Sequence, residues 1–498
     1  MADADCDILV VGGGPAGITL ALIAAQHGVR VIVCEKEADV YPLPRAAHID
    51  HEVMRIYQSV GAAGPIAATC RTTGTYDFLT ASGEVLLRFE GSDRIGPGGW
   101  PGANMIHQPS VERALRARLE GQPLAELRSC WTYLGHEETA LGVTARFATP
   151  EGERSVTAGY LVGADGTRSP VRAAAAIDMD DLGFDEPWLV IDALVHDAGR
   201  LPKVNLQICD PARPTTCVLM GEGRHRWEFM LLPGETSDQV SEDAFIAKLL
   251  APWNVEGAVT LERKAVYRFN ARVAKQWRKG RVLLAGDAAH QTPPFAGQGM
   301  CAGARDAANL GWKLAAVVTG KASETILDSY QAEREPHVRA TIQMAIMMGR
   351  TVCITDPAAA AERDRQMLAA RAAGQSPDGA LAYPPIADGL VLAGSPGAGS
   401  YFPQPVDAAS GAKLDDVLGG EAWLLSRGAA APVDGVVAVG LEDPRLESFA
   451  SGIAAWLDAH DTGAVLVRAD RYVFGTGTHA ALIEAWQAAL ARRETAAA

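Results

Sequence analysis

The short apolar strand Asp7-Ile-Leu-Val-Val11 runs into the turn Gly12-Gly-Gly-Pro-Ala-Gly17, and a helical stretch then leads to a second apolar run, Val29 to Cys34, that ends at Glu35. A chain that opens in this way is committed to a strand-helix-strand unit around a dinucleotide. Gly12 permits the tight turn out of the strand and Gly14 lets backbone N–H groups approach a pyrophosphate. Pro15 and Ala16 open the helix, and Gly17 lets it pack closely on the sheet. The helix N-terminus then faces the anion. Glu35, followed by Lys36, is placed to accept hydrogen bonds from a ribose 2′-OH, and its carboxylate would repel a 2′-phosphate. The expected nucleotide is FAD or NAD rather than NADP.

Two later segments decide between them. Arg281-Val-Leu-Leu-Ala-Gly-Asp-Ala-Ala-His290 leads into Gln291-Thr-Pro-Pro-Phe-Ala-Gly-Gln-Gly-Met300, and Tyr160-Leu-Val-Gly-Ala-Asp-Gly-Thr-Arg-Ser169 precedes both. With the opening turn, Gly286-Asp287 resembles the second fingerprint of the single-component FAD-dependent aromatic hydroxylases, the para-hydroxybenzoate hydroxylase and phenol hydroxylase type. Asp165-Gly166 resembles that family's third motif. Pro44-Arg-Ala46 with Ile49-Asp50, Trp227 to Gly234 and Val465 to Phe474 are similar to the group around 3-(3-hydroxyphenyl)propionate hydroxylase, nearly end to end. Arg468-Ala-Asp470 and Cys301 depart from that group's usual residues.

The resemblance implies an α/β fold: a Rossmann-like, GR2-type FAD-binding domain, an inserted β-sheet substrate domain and a C-terminal thioredoxin-like domain. It implies FAD as cofactor and NADPH or NADH as co-substrate. Asp287 is then expected at the flavin ribityl chain, Asp165 near both FAD and the reductant, and Arg45 and Gln108 in contact with the flavin. The turn Pro294-Phe-Ala-Gly297-Gln298-Gly299-Met300 precedes a helix, so its free N–H groups and the helix dipole suit the negative charge of a reduced flavin.

Domain boundaries are expected at 1–182 for the first part of the FAD-binding domain, 183–269 for the alternating, strand-like substrate domain, 270–385 for the return to the flavin domain and 386–498 for the tail. With no cysteine in its 386–498 span, the tail lacks a dithiol, which leaves packing or homo-oligomer contacts as its expected role. A net charge of −15 in 498 residues disfavours nucleic acid and anionic membrane as partners, and no apolar run reaches the length of a membrane span. A cytoplasmic enzyme is expected. Eight scattered cysteines without a C-x-x-C pair suggest no metal site.

The expected reaction is hydroxylation of a small phenol, a 3-(3-hydroxyphenyl)propionate-like acid, with NAD(P)H and O2, through the flavin C4a-hydroperoxide that the resemblance implies. A free phenol ionises near pH ~10, so the site must supply a base or a positive field. His48, Asp50 and His51 follow the Arg45 loop and are candidate bases. Arg224, His225 and Arg226 lead into the strand Trp227 to Leu232, where alternation points some side chains to the face that roofs a flavin, and Arg224 and His225 are candidates for holding a carboxylated substrate. Glu112 and Arg113 read as solvated helix charges. Two alternatives stand beside this reading: a tailoring or inactivating monooxygenase of a larger polyketide or antibiotic, which a wide cavity would favour, and a flavin-binding redox sensor that does not turn over.

Overall fold

The computed structural model describes residues 4–379, 383–428 and 430–491. The β-branched, buried strand Cys6–Val11 is the centre of the first sheet and pairs in parallel with Val31–Glu35 on one side and Gly152–Gly163 on the other. Val282–Leu284 and Ala125–Ser129 extend that parallel core. Strands buried on both faces read as continuous apolar runs, which is why Ile8-Leu-Val-Val11 shows no alternation. The helix Pro15–Gln26 leaves the glycine turn and lies between Gln108–Glu120 and the helix Gly299–Val318.

The second sheet is almost wholly antiparallel and its strand order runs His290–Gln291, Val259–Ala274, Met179–Val195, Arg224–Met230, Thr215–Met220, Asn205–Ile208, Thr75–Leu79, Val85–Glu90. It differs from the expected 183–269 segment in two ways. Two strands come from residues 75–90, because Thr75–Leu79 pairs in parallel with Asn205–Ile208. Its two longest strands also overrun the boundaries, and Val259–Ala274 passes directly toward the first sheet. On the outer face Leu189, Ile191, Trp227 and Phe229 pack against Ile246 and Leu250 of the helix Asp243–Leu250. The inner face looks onto the flavin domain.

The tail forms a four-stranded sheet in the order Val436–Gly440, Ala422–Ser426, Ala464–Val467, Val473–Gly477. Alternate side chains of its central strands face opposite sides. Trp423 and Leu425 meet the helix Ala450–Ala459, whereas Leu424 and Leu466 meet His479–Leu490. Buried ion pairs tie this unit to the rest. Arg468 pairs with Glu333 at 2.6 Å and Asp470 at 2.6 Å, and Lys313 reaches the same Glu333 at 2.7 Å. Arg55 and Arg471 share Asp415 at 2.7 and 2.9 Å. Ala469, at which the tail departs from its group, thus sits between two members of one ion cluster. No helix among the described residues is long and apolar enough to cross a membrane.

Arg468→Ala would leave Glu333 and Asp470 buried without their principal cation. It is expected to cost about 3–5 kcal/mol, read as a lowered urea midpoint; an unchanged midpoint would show that the cluster contributes nothing to holding the tail in place.

Candidate active site

A cavity of about 1900 Å³ separates the two sheets, and its lining joins most of the residues singled out from the sequence. At one end lies the glycine turn. Gly12 has φ +109°, and a Cβ there would stand 2.3 Å from the Ala164 carbonyl oxygen, so only glycine fits. Gly14, Pro15 and Ala16 line the cavity, whereas Gly17 is buried behind them against Gly12. The Glu35 carboxylate accepts the Gly13 and Glu37 N–H groups at 2.7 and 2.9 Å, which fixes it at the rim beside Lys36.

The Gly286-Asp287 turn is held from below. Asp306, wholly buried, accepts Gly286 N–H at 3.0 Å, His290 Nε2 at 2.6 Å and Arg334 Nε at 3.0 Å. Asp287 faces the cavity, and burial pushes its carboxyl above the usual range. Asp165 lines the cavity too, with one oxygen accepting Val171 N–H at 3.0 Å and burial again raising its pKa. Gln108 accepts the Arg45 and Ala46 N–H groups at 3.0 and 2.6 Å, holding the Arg45 loop at the cavity wall. Pro294, Gly297, Gly299 and Met300 line the opposite wall; the Gln298 side chain does not, because it donates to the Tyr383 hydroxyl at 2.7 Å and accepts from Arg305 at 3.2 Å.

The donor set suits a dinucleotide. Asp165 Oδ1, Arg116 Nε and Thr292 Oγ1 are buried at this cavity with no hydrogen-bond partner among the described residues, as expected of groups that complete their bonds on a polar ligand.

The five candidate catalytic residues divide. His48 and His51 line the cavity, but each is engaged with backbone: His48 Nδ1 donates to Gly297 O at 3.2 Å, and His51 Nδ1 accepts Gly98 N–H at 3.1 Å. Burial holds both imidazoles below the ordinary histidine range. Asp50 lies outside the cavity lining: it caps the helix His51–Ser59 and pairs with Arg305 at 2.8 Å. Arg224 also lies outside, bound to Glu262 at 2.7 Å. His225 points to the outer face, 3.0 Å from Cys217 Sγ and packed on Trp227, and burial holds its pKa down to about 3. The physical reason is the two-residue period of a strand: when His225 and Trp227 face outward, Arg226 and Glu228 face the cavity.

Glu112 corrects another expectation. It is buried and lines the cavity, bonded to Gln108 Nε2 at 2.7 Å, with its pKa raised by burial. Arg116 follows one turn later and donates to Gly13 O at 3.2 Å. The spacing 108, 112, 116 marks one helix face and was available in the sequence. A polar row on the sheet, formed by Glu228, Thr216 and Gln207, had no comparable signal. These three are cross-strand neighbours on consecutive strands. Thr216 donates to Gln207 Oε1 at 2.7 Å, Gln207 Nε2 to the Tyr76 oxygen at 2.5 Å, and Tyr76 O–H to Phe295 O at 2.9 Å.

A family model described as an FAD binding domain matches residues 5–345. A probable NADH-specific resorcinol 4-hydroxylase of Rhodococcus jostii (strain RHA1) is 38% identical over 95% of this chain and 92% of its own. The chain belongs to the single-component FAD-dependent aromatic hydroxylases. It is related to 3-(3-hydroxy-phenyl)propionate/3-hydroxycinnamic acid hydroxylase of Mycobacterium sp. (strain JLS), at 35% identity over 95% of this chain and 89% of the relative. Among solved structures, the OxyS anhydrotetracycline hydroxylase from Streptomyces rimosus superposes with a TM-score of 0.75 at 25% identity, covering 96% of this chain and 98% of that one. This hydroxylase is therefore an FAD-dependent, NAD(P)H- and O2-consuming monooxygenase with a mixed α/β fold and an inserted β-sheet domain.

Asp287→Ala removes a buried carboxyl from the expected ribityl site. A lost hydrogen bond to a charged group is worth about 1.5–3 kcal/mol, so FAD affinity should fall by roughly 10–150-fold. Flavin-to-protein absorbance after gel filtration measures it, and full occupancy would remove Asp287 from the cofactor site.

Proposed function

We propose that this hydroxylase acts on the ring of an uncharged phenol, and that its first choice is a substrate of more than one ring. The observation that carries this reading is the chemistry of the sheet facing the cavity. Its cations are already paired: Arg226 and Arg263 with Asp192, Arg268 with Asp185, Arg272 with Asp181. What the row Glu228, Thr216, Gln207 and Tyr76 offers instead is a carboxyl, two hydroxyls and an amide. Such a surface hydrogen-bonds phenolic hydroxyls and repels a substrate carboxylate. A phenylpropionate-type acid fits it less well.

Size follows from volume. Single-ligand pockets usually span ~300–1,000 Å³, so a cavity of about 1900 Å³ accommodates the cofactor together with a multi-ring substrate. The anhydrotetracycline hydroxylase named above is consistent with that choice. The resorcinol 4-hydroxylase relative favours a second reading, a single-ring dihydric phenol, which shares the absence of a carboxylate.

The chemistry supplied by the bound cofactor is acceptance of hydride from NAD(P)H and activation of O2 for transfer of one oxygen atom to the ring. The chain's own groups do the rest. Gly12, Gly14, Pro15, Ala16, Glu35, Arg116 and Asp165 would hold the dinucleotide, and Arg45, Gln108, Gly286, Asp287 and the 294–300 turn would seat the flavin. Backbone N–H groups at the start of the helix Gly299–Val318 would stabilise negative charge on the ring. Phe269, Trp188 and Phe295 pack edge and face around the cavity wall and keep water from the reacting face. The tail, a mixed four-stranded sheet with a helix on each face, is read as thioredoxin-like in fold.

NAD(P)H consumption measured with resorcinol, 1,3-dihydroxynaphthalene and 3-(3-hydroxyphenyl)propionate, with product quantified by mass spectrometry, tests the reading. Juxtaposed like charges cost several kcal/mol, so kcat/KM for the uncharged phenols should exceed that for the acid by at least ~10-fold. Preference for the acid would overturn it, and preference for resorcinol over the two-ring phenol would select the second reading.

A further inference from the structure

We propose that Glu228 is the base that takes the proton from the substrate's phenolic hydroxyl, an inference that rests on the uncharged-phenol reading above. Its geometry separates it from the three candidate bases read from the sequence and from Glu112 and Asp165 at the cavity wall. Asp50 is bound to Arg305, His48 to Gly297 O and His51 to Gly98 N–H. Glu112 is engaged by Gln108, and Asp165 by Val171 N–H. The Glu228 carboxyl lines the cavity at 5% exposure and accepts no hydrogen bond from the described residues.

Its nearest cation does not occupy it. Arg226 Nη1 is 3.7 Å from Glu228 Oε1, beyond hydrogen-bond distance. The Arg226 donors go elsewhere, to Asp192 at 2.6 and 3.2 Å, to Arg45 O at 2.8 Å and to Pro44 O at 2.7 Å. Arg226 is therefore close enough to favour the ionised form of Glu228 and leaves its oxygens free to accept a proton from a ligand. A buried polar group without a partner is costly, and a substrate O–H provides that partner. Thr216, directly across the strand pair, and the Gln207–Tyr76 chain beyond it set the orientation in which a hydroxyl-bearing ring lies along the row.

The transfer balances without an oxidant. The phenol O–H bond breaks, its electron pair stays on oxygen, and a new O–H bond forms on the Glu228 carboxylate. The phenolate so produced is the stronger carbon nucleophile toward an electrophilic oxygen. The charged and titratable groups facing Glu228 are Arg226 on its own strand, Asp192 on Met179–Val195, Arg263 on Val259–Ala274 and Tyr76 on Thr75–Leu79. Burial raises the Glu228 pKa above the ordinary carboxylate range, Arg226 and Arg263 oppose that rise and Asp192 adds to it. A raised pKa brings the carboxyl nearer the working pH, where a general base is most effective. Because only the ionised form accepts a proton, hydroxylation should rise with pH through that pKa and fall as the carboxyl protonates.

The test uses FAD-loaded enzyme with whichever of resorcinol and 1,3-dihydroxynaphthalene is turned over faster, and with its ring-fluorinated analogue retaining a free position. General base catalysis contributes about 10²–10⁴-fold, so E228Q should lose that much kcat/KM for the unfluorinated phenol and lose the rising limb of its pH profile. The loss should shrink at least tenfold for the fluorinated phenol at a pH where its hydroxyl is already ionised. An equal loss for both phenols, or an unchanged rate and profile, overturns the proposal. Should E228Q not fold, the unmodified enzyme decides: a rising limb fixed across phenols of different acidity supports Glu228, and a limb that tracks the phenol's own pKa overturns it. Failure of the unmodified enzyme to hydroxylate any of these phenols rejects the functional reading, and this proposal with it, before any variant is made.

Discussion

A row of three charges crosses the middle of the substrate sheet, and the shape of the cavity depends on it. Asp192 stands at 1% exposure between its cross-strand neighbours Arg226 and Arg263, which hold it from either side. Both arginines also donate to the Pro44 carbonyl, one residue before Arg45. A carboxylate buried this deeply is tolerable only while its partners are in place, since removing one leaves an uncompensated charge costing about 3–5 kcal/mol. The row therefore fixes more than the sheet. It sets the distance between the sheet and the Arg45 loop, and with it the height of the space in which a ring can lie.

The same device is repeated wherever two parts of the chain must keep register. Asp306 gathers Gly286 N–H, His290 and Arg334 beneath the second fingerprint turn, so the position of Asp287 is set by a helix that follows it by some twenty residues in the chain. Asp415 gathers Arg55 and Arg471 between the flavin domain and the tail. Each acid is buried and each has at least two donors, the condition under which a buried ion specifies geometry as well as tolerating its own desolvation. The tail is consequently a built part of the enzyme. Tyr401 of the tail reaches the cavity lining, and Tyr383, just ahead of the tail, accepts from Gln298 in the 294–300 turn.

What was legible in the sequence was local. The glycine turn, Glu35, Gly286-Asp287 and the 294–300 turn are short segments whose residue types follow from backbone geometry, so a few adjacent residues disclose them. The same reading went astray on the substrate sheet, where a slip of one residue changes the face. Of the basic run Arg224, His225 and Arg226, only Arg226 lines the cavity, beside Glu228, which carried no signal. Glu112 looked solvated because its helix carries many charges, and only its position between Gln108 and Arg116 marks the buried face. The Tyr76–Gln207 contact joins residues 131 apart and depends on a parallel pairing that no local pattern announces.

The electrostatics of the two cavity walls differ in a way that matters for chemistry. On the flavin side, the positive field comes from backbone N–H groups at the start of the helix Gly299–Val318, and burial lowers the pKa of the neighbouring His48. A backbone dipole does not titrate, so that wall presents the same field across the working pH range. On the substrate side the row includes a carboxyl whose pKa burial has raised. Under the proposed roles, charge that must be constant during flavin reduction would be supplied by the main chain, and charge that must change during proton transfer by a side chain. Separating the two across the cavity would allow the substrate to ionise without weakening the stabilisation of the reduced ring.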